Sequence, residues 1–92
     1  MNSPVDDVIR AVTDSLERRA LALGKRVGAL DSVRGLVAAD EADIALDYLV
    51  NTANAFRLPM RQDEYDRLME AARRLDPSDW VTDIDPQLLF PA

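Results

Sequence analysis

Asp40-Glu41-Ala42-Asp43-Ile44-Ala45-Leu46-Asp47-Tyr48-Leu49-Val50-Asn51-Thr52-Ala53-Asn54-Ala55-Phe56 reads as a tight turn feeding one amphipathic helix. Ala42, Ala45, Leu46, Leu49, Ala53 and Phe56 recur at i, i+3 and i+4, the spacing of a buried helical stripe. Pro59 bounds the helix, because the residue before a proline is pushed out of the helical region. Away from the apolar stripe, Asp40, Asp43, Asp47, Asn51 and Asn54 follow the same 3–4 spacing, so the helix has an acidic and amide face as well as a core face.

The flanking segments repeat this pattern. Ser3-Pro4-Val5-Asp6 opens a first helix, with Ser3 as cap, Pro4 at the first helical position and Asp6 and Asp7 in the positive first turn. Val5, Val8, Ile9, Val12, Leu16, Ala20 and Leu23 are expected to face inward, and Gly24 to stop the helix beside Lys25 and Arg26. After a connector, Asp31 is expected to cap a short helix that turns Val33, Leu36 and Val37 inward. A fourth helix is expected from about Gln62 to Leu75, with Asp63 and Glu64 in its first turn and Tyr65, Leu68, Met69, Ala72 and Leu75 inward. Asp76-Pro77-Ser78-Asp79 reads as a capped turn delivering Trp80, and Val81 to Ala92 has two prolines and no periodicity.

The expected fold class is therefore all-α: a single domain over residues 1–92, a bundle of about four helices with a short C-terminal turn and an irregular tail over residues 81–92. Val8, Ile9, Val12, Leu16, Leu36, Leu46, Leu49, Leu68 and Met69 are its expected core. Three glycines, five prolines and 5% aromatic residues favour helices over a turn-rich sandwich.

Composition also excludes chemistry. The sequence has neither cysteine nor histidine, which removes disulfides, thiolate sites, the commonest general base and the usual transition-metal ligands. No catalytic residue, cofactor or metal is expected. The alternative that most deserves weighing is a Mg²⁺ site at Asp40, Glu41, Asp43 and Asp47, with Asp63, Glu64 or Glu70 converging from another helix; a solvated acidic face explains the same residues more simply. The acidic start from Met1 to Asp7 has no basic or apolar leader character, and no apolar run is long enough for a membrane span, so a cytoplasmic location is expected.

Charge gives the functional direction. Seventeen acidic against 11 basic residues leave a net charge of −6, and the imbalance is local: Gly35 to Phe56 and Leu75 to Ala92 each contain four acids and no base. Such surfaces repel nucleic acid and complement the cationic groove of a protein that binds it. The expected partner-binding residues are Asp40, Glu41, Asp43, Asp47, Tyr48, Asn51 and Asn54 on the third helix, with Asp79, Trp80 and Asp83 near the C-terminus. Tyr48 and Trp80 enter as aromatic anchors, although both also suit the core and Trp80 is better explained as a lid over the bottom of the bundle.

The middle of the chain carries a further pattern: Val33-Arg34-Gly35-Leu36-Val37-Ala38-Ala39-Asp40-Glu41, then Ala45-Leu46-Asp47-Tyr48-Leu49, then Leu58-Pro59-Met60, then Glu64-Tyr65. In order and spacing it resembles the MafI-type immunity proteins of bacterial polymorphic toxin systems, over roughly Leu30 to Trp80. The sequence departs from that family in having Asp40 where glycine is common before the turn glutamate, Thr52-Ala53-Asn54-Ala55 at the end of the third helix, and Arg61-Gln62 at the start of the fourth. The resemblance implies a cognate inhibitor of a toxin, often a nuclease; the acidic charge and the lack of an apolar span point to no direct contact with nucleic acid or membrane, and a monomer is expected outside the complex. The readings that stand beside it are a non-catalytic helical interaction module or partner subunit, and a carboxylate-Mg²⁺ enzyme.

Overall fold

A computed structural model describes residues 4–75 and 84–91. Four helices follow in order: α1 (Pro4–Ala22), α2 (Ala29–Ala38), α3 (Ala42–Phe56) and α4 (Gln62–Leu75). Between α3 and α4 lies a two-residue strand, β1 (Met60–Arg61), and the chain closes through a 3-10 turn (Pro86–Leu88) into β2 (Leu89–Phe90). The two strands pair in parallel, Met60 opposite Leu89 and Arg61 opposite Phe90. Ser3, Asp76, Ser78, Asp79, Trp80 and Asp83 lie outside the described residues.

The core is the meeting of the four apolar stripes. Ile9, Val12 and Leu16 of α1, Leu30 and Val33 of α2, Leu46, Leu49 and Val50 of α3, and Leu68 of α4 have no exposed surface. Val8, Leu36 and Met69, also expected inside, are partly buried against this core. Polar atoms inside are satisfied: Thr13 donates to the Ile9 carbonyl at 2.7 Å, and no buried side-chain polar atom among the described residues lacks a partner.

The helix ends share one device. At the end of α1, Gly24 adopts φ 77°, its N–H returns to the Leu21 carbonyl and the Lys25 N–H to that of Ala20, the paired bonds of a Schellman cap. Asp40 repeats it after α2 at φ 63°, with Glu41 reaching Leu36, and Arg57 repeats it after α3 at φ 55°, with Leu58 reaching Ala53. These two are non-glycine residues in the left-handed region, where an L side chain costs roughly 1–2 kcal/mol.

The caps explain where periodicity misleads. Leu23, expected inward, belongs to the turn that Gly24 creates and is largely exposed. Phe56, expected on the α3 core stripe, is half exposed; the reversal at Arg57 swings Leu58 into its place, and Leu58 is buried. So α3 ends at its own cap, two residues before Pro59 is reached. Asp31 is not the cap of α2, which starts at Ala29 behind Gly28; it sits in the first turn. There it joins Asp14 and Glu17 around Arg34, which contacts all three at 2.7–3.0 Å.

The tail lacks periodicity, yet it is fastened down. Ile84 and Leu88 are buried, the Asp85 carboxylate is paired with Arg57, and the Asp85 N–H donates to Asn54 Oδ1 at 2.8 Å. Arg19 of α1 stacks over the Phe90 ring, 5.2 Å from its centre.

Candidate functional site

The outward side of α3 is built by what its inward side needs. Ala42, Ala45, Leu46, Leu49, Val50, Thr52 and Ala53 are buried, which turns Asp43, Ile44, Asp47, Tyr48, Asn51 and Ala55 away from the core. At 100° per residue, Asp43 and Asp47 form one row and Ile44, Tyr48 and Ala55 a second, with Asn51 between them. The Schellman turn places Asp40 and Glu41 at the N-terminal end of this surface, both exposed.

Asp40, Glu41 and Asp43 have no ion-pair partner among the described residues. Several other acids are paired: Asp14, Glu17 and Asp31 with Arg34, Asp63 with Arg61 and Arg67, Glu70 with Arg73 and Arg74. The Arg61 hydrogen bond holds Asp63 down at about 2. Asp40, Glu41 and Asp43 thus concentrate negative charge at the N-terminal end of α3 with no base beside them among the described residues, unlike these paired acids.

Seven of the expected partner-binding residues can be placed. Asp40, Glu41, Asp43, Asp47, Tyr48 and Asn51 lie together on this surface, Asp47 half-buried and held by Asn51, whose side-chain amide donates to its carbonyl at 3.0 Å and its carboxylate at 3.1 Å. Asn54 continues the row in spacing, but its amide oxygen holds the C-terminal tail through Asp85. Asp79, Trp80 and Asp83 fall outside the described residues. Among the described residues no group of three acids is arranged to hold a metal ion. Glu64, considered for such a site, is buried instead against Arg19.

One member of the surface was missed. Ile44 is 50% exposed beside Tyr48 at 39%. The signal is present in the sequence: Ile44 lies off the Ala45-Leu46-Leu49-Ala53 stripe and four positions before Tyr48, so both stand on one line of the helix.

Comparison with protein families, curated proteins and solved structures found no match to this chain. The resemblance of Val33 to Tyr65 to MafI-type proteins therefore rests on the quoted residues alone and identifies no family.

Proposed function

We propose that this chain is a cytoplasmic immunity protein that binds a cognate bacterial toxin domain, a nuclease by preference, and neutralises it by stoichiometric occlusion. The observation that carries the reading is the exposed acidic face of α3, where Asp40, Glu41 and Asp43 have no basic partner among the described residues. A nuclease must present a cationic groove to phosphate, and a surface of this charge is repelled by nucleic acid and attracted to such a groove. The chain acts by binding and not by turnover, since a sequence without histidine or cysteine has few means of acid–base or nucleophilic catalysis. An interface of ordinary size, roughly 800 Å² per partner, would cover the α3 face and the turns beside it.

The same surface suits a helical interaction module with another basic protein, the second reading. Co-expression separates the two. If the gene immediately upstream encodes a secreted protein whose C-terminal domain kills cells, and this chain rescues them through a one-to-one complex, the immunity reading stands. Death unaffected by the chain removes it.

A further inference from the structure

The exposed α3 face has an apolar component that acidity does not explain. Ile44, Tyr48 and Ala55 stand at i, i+4 and i+11, the spacing by which a helix presents anchors to a groove, along about 18 Å of helix axis from Asp43 to Ala55. The core makes no claim on them, because seven other side chains of α3 fill it. Helix formation does not call for them either: a β-branched isoleucine is a weaker helix former than the alanine, leucine or lysine that would serve on a solvated face. Exposed apolar residues are common singly, but two aligned large ones edged by an acidic row, in which Asp43 has no basic partner among the described residues, form a patch of mixed chemistry. The other exposed large apolar residues among the described residues, Leu21, Leu23 and Phe56, lie at the α1 and α3 C-termini beside Lys25, whose ammonium reaches the Phe56 carbonyl at 3.2 Å. That second patch is flanked by bases, so it selects a different charge.

We infer that the outward face of α3 is a two-row docking surface for a protein partner whose apolar groove, rimmed with basic side chains, takes Ile44 and Tyr48 while the rim meets Asp40, Asp43 and Asp47. The assignment rests on the reading above that α3 faces the partner, and it adds what that partner must look like. Charge complementarity selects the basic rim and governs encounter; the desolvated aromatic and aliphatic anchors govern residence. A groove with charge alone would leave Ile44 and Tyr48 in water.

The test needs no knowledge of the natural partner. The ¹⁵N-labelled full chain is titrated with two synthetic helical peptides of equal length and charge, one with lysine and leucine on separate faces, the other with serine replacing leucine. The leucine peptide is expected to bind at least ~tenfold more tightly. Its amide shifts should centre on residues 43–55. Ile44→Ser with Tyr48→Ser should bring the two peptides to equal affinity without changing the circular dichroism spectrum. Equal affinity of both peptides for the unmodified chain, or shifts centred on Leu21, Leu23 and Phe56, overturns the assignment. A dimer in sedimentation that Ile44→Ser dissociates also overturns it, since a second copy then occupies the face. If the peptide ranking holds but no toxin domain encoded beside this chain binds it, only the toxin reading falls.

Discussion

Arg19 of α1 and Glu64 of α4 close on one another at 3.0 Å across the domain, with the carboxylate only 1% exposed and the guanidinium side chain 24%. The pair organises four segments. Arg19 also donates to the Pro59 carbonyl at 2.8 Å and covers the Phe90 ring, while Glu64 accepts the Arg61 backbone N–H at 2.9 Å as a cap for α4. Burial alone would push the Glu64 carboxyl up, but the hydrogen bond from Arg19 and the Arg61 N–H together hold it below its ordinary value.

Removing the cation should therefore cost more than removing the charge. Arg19→Met strands a buried carboxylate and is expected to destabilise by about 3 kcal/mol, the low end for a broken buried pair because water reaches the arginine. Glu64→Gln keeps an acceptor for the Arg61 N–H and should cost about 1 kcal/mol. Urea unfolding of both variants and of the double variant checks the ranking; a cost for Arg19→Met no greater than for Glu64→Gln would contradict it.

The sign of the pH dependence follows from the same pair. A carboxyl whose folded value is lowered contributes stability that is fully present above its unfolded value, ordinarily 4.5 for Glu64, and is lost as pH falls through the folded one. Asp85, lowered by the Arg57 hydrogen bond and the Gln87 N–H, acts in the same direction. Melting temperature should be level from pH 7 to about 5 and fall below that. Glu64→Gln should make the fall shallower, and an identical slope would remove Glu64 as its cause.

Asp40 offers a test of backbone strain. At φ 63° it occupies the glycine position of a Schellman cap, the same position where the resembled family commonly has glycine. Asp40→Gly should stabilise by about 1 kcal/mol, raising the melting temperature by roughly 4–8 °C for a domain of this size. Its carboxylate contacts no base among the described residues, so no ion pair is lost there. A lower melting temperature would show that the carboxylate stabilises the turn.

Much of this was legible in the sequence, and the failures have local causes. Pro4, Gly24 and the Asp40-Glu41 turn announce their boundaries because each has a conformational preference of its own, and α4 runs Gln62–Leu75 as its stripe requires. Leu23 and Phe56 were misplaced because periodicity extends a helix past the residue where a left-handed cap reverses it, and nothing in the arginine at 57 advertises that conformation. Burial of Glu64 depends on an arginine 45 residues away, a tertiary fact that no local pattern carries. The fastening of the tail through Asn54, Arg57 and Arg19 is equally non-local. For the surface, the acid row is legible by spacing, whereas Ile44 belongs to neither the expected core stripe nor the expected acidic and amide row, because a lone apolar residue between them satisfies neither pattern.

Arg57 and Asn54 predict how that tail is released. Arg57→Gly relieves the left-handed strain yet removes the partner of Asp85, and Asn54→Ala removes the acceptor of the Asp85 N–H. Hydrogen exchange of the amides at 85–90 should accelerate in both variants, while α1 and α3 amides keep their protection. Exchange unchanged in the tail would mean that Ile84 and Leu88 packing suffices to hold it.

Charge reversal on α3 separates encounter from folding. Asp43→Lys with Asp47→Lys turns the acidic row basic on a face that contributes nothing apolar to the core, so the two variants test electrostatics with little change in packing. Two small stability costs are expected: Asp43 is favourable in the positive first turn of α3, and Asp47 accepts from Asn51. Together these should stay near 1 kcal/mol. Against a basic partner, the association rate should drop by one to two orders of magnitude at low salt, and the gap should narrow as ionic strength rises, because screening weakens the attraction of the wild-type row and the repulsion of the reversed one. Protection of toxin-expressing cells should fall while circular dichroism stays helical. The control is Ile44→Ser, which leaves the charge alone and should raise the dissociation rate with no change in the salt dependence of association. If the double lysine variant associates at the wild-type rate at low salt, α3 is not the steering surface, and the acids near the C-terminus, Asp79, Asp83 and Asp85, become the next to reverse.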